Sequence, residues 1–65
     1  MISFKKAQEL LPVGDIVYVV GESSVFPAIV KKVTRFGIIT DAGRLDYEDH
    51  GLAWFLTKIG AKGKT

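Results

Sequence analysis

The 65 residues contain no cysteine, so neither a disulfide framework nor a thiolate zinc site is open to this chain. Histidine is almost as scarce: His50 stands alone. No uninterrupted apolar run approaches the roughly 18 residues of a membrane-spanning helix. Lys5 and Lys6 imitate the basic start of a secretory leader, but Gln8 and Glu9 stand where its apolar run would have to be. A dominant charge sign is missing too. Nine Lys and Arg against seven Asp and Glu leave a net charge of +2, too weak to imply a nucleic-acid partner. These absences lead us to expect a cytoplasmic protein without a membrane association.

What is present points to a folded domain. Hydrophobic residues make up 48% and charged residues 25%, a balance that suits a packed core rather than a disordered tail. The length allows one domain over 1–65, with so thin a stability margin that a partner or self-association would contribute. Charge is locally polarised. Lys31, Lys32, Arg35 and Arg44 face only Asp41 within residues 31–45, while Asp46, Glu48 and Asp49 sit together without a base.

Residues 26–43 form the organising stretch. Ala28–Thr34 is rich in Ile and Val, and Ile38–Thr40 follows after Arg35-Phe36-Gly37; β-branched density between glycine-bearing turns is a strand signal. Neither face of Ala28–Thr34 is cleanly apolar. Ala28, Val30, Lys32 and Thr34 alternate with Ile29, Lys31, Val33 and Arg35. A bulge near Lys31-Lys32 would re-phase the pattern and bend the strand, which suits a small barrel better than a flat sheet. Asp41-Ala42-Gly43 reads as a turn with Gly43 free to take positive φ.

Around this stretch, Ser3–Leu11 predicts a short helix with Ser3 as N-cap and Phe4, Ala7, Leu10 and Leu11 on its apolar face; Pro12 and Gly14 end it. Asp15–Val20 is a strong strand. Arg44–Glu48 alternates as a half-buried strand, with Leu45 and Tyr47 on one face. Leu52–Thr57 is ambiguous between helix and strand, and its Trp54-Phe55 pair favours a closing strand. The lysines and glycines of 60–65 predict a flexible basic tail. Trp54 and Ile29 are expected in the core, and Lys32 outside it.

The succession Gly14–Val19, Pro27–Val30 and Ile38–Gly43, read over about residues 13–56, resembles an SH3-like small barrel of the Tudor or KOW kind. The resemblance implies an all-β fold: an SH3-like small β-barrel of strongly bent antiparallel strands, with a core over 14–57 and the short helix over 3–11 before it. The Tudor likeness also implies an aromatic cage for a cationic side chain, for which Tyr18, Phe26, Phe36, Tyr47 and Trp54 are available. Tyr47, His50-Gly51 and Trp54–Lys58 resemble the closing part of small uncharacterised phage and prophage reading frames. Those continue into an acidic, alanine-containing helix, where this chain has Gly60-Ala61-Lys62-Gly63.

Chemistry is sparse. Asp46, Glu48 and His50 would share one face if an extended strand continued through them, a spacing that touches a divalent ion at best; a solvated edge is the plainer reading. Ser23-Ser24 lies far in sequence from His50, and the glycines are too dispersed for a phosphate-cradling loop. We expect no catalytic residue, no metal and no cofactor. Binding is the expected task, and two groups of residues are candidates. Lys31, Lys32, Arg35, Phe36 and Arg44 make a basic group with a stacking ring, for nucleic acid or a protein partner. Asp46, Glu48 and Asp49 make an acidic patch for a protein partner. The leading expectation is a non-enzymatic protein-interaction module, of the kind a phage or prophage uses to modulate a host protein. A nucleic-acid-binding SH3-like domain and a self-associating structural domain are the alternatives.

Overall fold

The computed structural model describes residues 1–63. The chain opens with α1 (Phe4–Leu10), where the Ser3 hydroxyl accepts from the Lys6 N–H at 3.1 Å and so gives one of the free N–H donors of the first turn its acceptor. Ala7 and Leu11 face inward and are buried; Leu10, expected beside them, is exposed. Four strands follow, β1 (Ile16–Val20), β2 (Val25–Val33), β3 (Gly37–Thr40) and β4 (Gly43–Asp46), then one 3-10 turn at Tyr47–Asp49, β5 (Trp54–Phe55) and α2 (Lys58–Lys62). All strand pairs are antiparallel, in the order β4-β3-β2-β1-β5. The sheet curls into a half-barrel, an SH3-like small-barrel fold with a short N-terminal helix.

The curl comes from β2. Its first half pairs with β1 and its second half with β3. Between Val30, opposite Thr40, and Lys32, opposite Ile39, the register shifts, so Lys31 is the extra residue. Before the bulge Ala28 and Val30 face the core; after it Val33 does, and both lysines point to solvent. The broken alternation in the sequence is this re-phasing. Asp41 fastens the bend. Its carboxylate accepts from the Ile29 N–H at 2.9 Å and its own N–H donates to the Ile29 carbonyl at 3.2 Å, continuing the β3 side of the ladder past the end of β3.

The inward faces of β1, β2, β3 and β5 supply Val17, Ala28, Val30, Ile38 and Trp54, closed by Ile2, Ala7, Leu11 and Tyr47. Ile29 does not belong to this core. It pairs with Ile16 on the outer face and is 40% exposed, because Val17 aligns with Ala28 and so turns Ala28 and Val30 inward. Val30→Ala is therefore expected to cost more than Ile29→Ala, whose cost will be about 1 kcal/mol from partial loss of buried methylenes. Urea midpoints of the two variants test the order; a larger loss at Ile29 would place the core on the other face.

Three sequence expectations are corrected beyond Asp46. The strand expected over Arg44–Glu48 stops at Asp46, and the chain turns through Tyr47–Asp49. It turns there because the Tyr47 ring is buried and its hydroxyl donates to the Thr34 carbonyl, while the Trp54 Nε1–H donates to the Asp46 carbonyl at 2.8 Å. That indole bond also spans the gap between the edge strands β4 and β5. The closing strand expected over Leu52–Thr57 is only Trp54–Phe55, since residues 49–53 form a turn in which Leu52 and Ala53 both donate to the Asp49 carbonyl. The flexible tail expected from residue 60 begins instead inside α2. There Thr57 caps the Gly60 N–H at 3.2 Å and Ala61 is buried as the helix packs on β1 and β5. Positions 64 and 65 of that expected tail lie outside the described residues.

Candidate functional site

The hairpin tip between β2 and β3 is a fixed platform. Thr34 Oγ1 donates to the Gly37 carbonyl at 2.7 Å and accepts from the N–H groups of Phe36 and Gly37 at 3.3 and 3.2 Å. The Thr34 N–H donates to the same Gly37 carbonyl at 2.9 Å. One threonine thus occupies the backbone groups that would otherwise let the tip flex, and Arg35 and Phe36 are held outward. The Phe36 ring is 75% exposed. It stands in solvent.

Because β3 and β4 pair antiparallel, Gly37 lies opposite Asp46, and the tip meets the end of β4. An open cleft of about 480 Å³ lies between them. Arg35 and Phe36 from the tip, Arg44 and Asp46 from β4, Tyr47 and Glu48 from the 3-10 turn, and Met1 and Ile2 line it. The first residues of the chain are held there by the Ile2 N–H, which donates to the Tyr47 carbonyl at 3.2 Å, and by the Met1 amino group, which donates to the His50 carbonyl at 2.8 Å. Burial pushes the Tyr47 phenol above its usual pKa, so its hydroxyl remains a donor. The Phe4 ring packs 6.4 Å from the Tyr47 ring, centroid to centroid, and backs the cleft wall.

The two residue groups expected to act separately are thus mixed. Arg35, Phe36 and Arg44 from the basic group share the cleft with Asp46 and Glu48 from the acidic patch. Arg44 Nε and Asp46 Oδ1 pair at 3.0 Å. Arg35 and Glu48 are exposed and enter no ion pair among the described residues. Lys31 and Lys32 sit at the bulge, and Asp49 in the following turn; none of these three lines the cleft. Sequence reasoning missed Met1 and Ile2, and it offered Tyr47 only to an aromatic cage. Tyr47 was legible as a buried ring but gave no sign that its backbone would anchor the chain start.

The aromatic cage implied by the Tudor likeness does not form. Trp54 and Tyr47 are in the core, Tyr18 pairs with Phe55 across β1 and β5, and Phe36 stands at the tip. Asp46, Glu48 and His50 do not share a strand face, since β4 ends at the first of them. Among the described residues no group of three His, Cys, Asp or Glu side chains is placed to hold a metal ion, and no helix is long and apolar enough to cross a membrane.

His50 packs edge-on against Trp54 with ring centroids 5.0 Å apart, and its Nδ1 is buried. Burial lowers its pKa below the usual value, the Met1 ammonium adds to that, and the Met1 backbone opposes it in part. The unfolded chain, at an ordinary pKa of about 6.5, then binds this proton more readily than the folded one. The contribution to stability is complete above about pH 6.5 and is lost as pH falls through the lower folded value. Thermal midpoints across about pH 7.5 to 5.5 will fall for the wild type and stay level for His50→Phe. Identical slopes would show that the ring titrates as it does in open chain.

No family model matches the chain, and neither the curated proteins nor the solved structures give a significant match, so the phage likeness gains no support from them.

Proposed function

We propose that the protein is a non-catalytic interaction module that binds a protein partner through the cleft between the β2–β3 tip and the end of β4. The observation that carries this reading is Phe36: a large apolar ring 75% exposed, on a tip tied down by Thr34, beside a cleft lined by both charge signs. Rigid, exposed aromatic residues suit association because little conformational freedom remains to be lost on contact. Asp46 and Glu48 weigh against a nucleic-acid backbone, which would have to lie beside them to reach Arg35 and Phe36. The setting we propose, a mobile-element-encoded modulator of a host protein, draws on the likeness of Tyr47, His50-Gly51 and Trp54–Lys58 to phage reading frames. The helix α2 carries Ala61, as that likeness expects, but has two lysines and no acid where the likeness expects an acidic helix.

The test is a pair of NMR titrations of the nitrogen-labelled protein. Peptides selected from a random display library should shift the amides of Arg35–Gly37 and Arg44–Glu48, and Phe36→Ala should weaken that binding by about tenfold or more. Short single- and double-stranded DNA and RNA, at low and moderate salt, should leave those amides unmoved. Salt-sensitive oligonucleotide binding that disappears when Lys31, Lys32 and Arg35 are substituted would overturn the reading in favour of nucleic acid.

A further inference from the structure

We infer that the ligand of this cleft is an extended peptide segment carrying one bulky apolar side chain between an acidic and a basic residue. The inference rests on the interaction-module reading and names its ligand class.

The charges decide the class. Four charged side chains line the cleft, and two of them, Arg44 and Asp46, already satisfy each other at 3.0 Å. The remaining two are Arg35 and Glu48, one cation and one anion, both exposed and outside any ion pair among the described residues. A ligand of one sign would meet one of these favourably and the other with repulsion. A polyacidic segment would face Glu48, and a polybasic one would face Arg35. A segment bearing both signs meets each with its opposite, and the two contacts together fix its direction along the cleft. Complementarity of this kind rejects wrong partners as much as it attracts the right one.

The apolar part follows from the walls. Phe36, Met1, Ile2 and Tyr47 supply the apolar lining of the cleft, with Phe36 next to Arg35 on the tip and Tyr47 next to Glu48 on the turn. Ile2 and Tyr47 are themselves almost fully buried, so this wall is anchored in the core rather than loosely laid on it. A single large side chain entering there removes the Phe36 ring from water at little ordering cost, because the tip is already held by Thr34. The peptide's two charges then reach Arg35, on the tip, and Glu48, on the turn.

The experiment is selection from a random-peptide display library on four proteins: wild type, Phe36→Ala, Arg35→Glu and Glu48→Lys, each shown by circular dichroism to be folded. The wild type is expected to enrich peptides with an acidic residue, a bulky apolar residue and a basic residue in fixed order. Phe36→Ala should weaken the enriched peptides by about tenfold or more. Arg35→Glu should convert the acidic position of the consensus to Lys or Arg, and Glu48→Lys should convert the basic position to Asp or Glu. Cleft-dependent peptides that carry one charge sign, or keep the same charges on both reversed variants, would overturn the ligand class while leaving the interaction module intact. Peptides indifferent to all three substitutions, or no peptides at all, would overturn both.

Discussion

Trp54→Ala will leave this domain unfolded, or close to it, at room temperature. The indole is fully buried at the centre of the core, opposite Val19 on the inward face of β1. Its Nε1–H gives the Asp46 carbonyl a partner at 2.8 Å, and its ring receives the edge of His50. Truncation removes the ring volume, the only bond that spans the gap between β4 and β5 through a side chain among the described residues, and the surface on which His50 rests. Large-to-small changes of this type cost about 3–5 kcal/mol. A 65-residue domain holds roughly 3–10 kcal/mol in total, at about 0.05–0.15 kcal/mol per residue. Trp54→Phe separates the two contributions. It keeps most of the apolar volume but leaves the Asp46 carbonyl without its donor, for an expected loss of about 1–3 kcal/mol. Because Trp54 is the sole tryptophan, the measurement is urea denaturation followed by circular dichroism rather than by fluorescence. An alanine variant with an unchanged midpoint would remove the indole from the core.

Gly37→Ala is the second large effect, and it acts through space rather than through dihedral freedom. A Cβ at this position would sit 2.5 Å from the Leu45 carbonyl oxygen and 3.3 Å from the Asp46 Cα, both backbone atoms of the facing strand. No side chain can swing aside to relieve the contact, so β3 and β4 must separate. Overpacking costs about 1–3 kcal/mol, and an immovable backbone neighbour puts this case at the upper end. The contrast is Gly43, which has open space around it but a φ of +107°. Separation at Gly37 also disturbs Thr34, which holds both the N–H and the carbonyl of residue 37. The variant should therefore lose peptide binding even under conditions where its circular dichroism is still native. Full binding with native stability would show that β4 has room to move.

The bulge was readable in the sequence because two adjacent lysines cannot both alternate with Ile and Val. Gly43 and the Ser3 cap were readable because local backbone chemistry decides them. The inward face of β2 was not. Ala28 and Val30 compete with Ile29 and Val33, and only pairing with Val17 settles which set goes inside. The end of β4 was hidden for a similar reason: Tyr47 continues the alternation of Leu45, yet its hydroxyl reaches back to Thr34, a partner 13 residues away. Of the candidate site, the residue identities were legible and their grouping was not. Arg35 and Glu48 look like members of opposite patches until the hairpin sets Gly37 against Asp46.

The strand order has a kinetic consequence. Three of the four ladders join strands that follow one another along the chain, and only β1 with β5 closes a long loop. The meander from β1 to β4 can zip from its turns by local steps, each with a short search. Capture of Trp54 against Val19 then ends the reaction with the costliest loop closure. On that route the indole docks after the transition state has been passed. Its loss should speed unfolding far more than it slows refolding, so the residence time of the native state is governed by the shortest strand in the sheet.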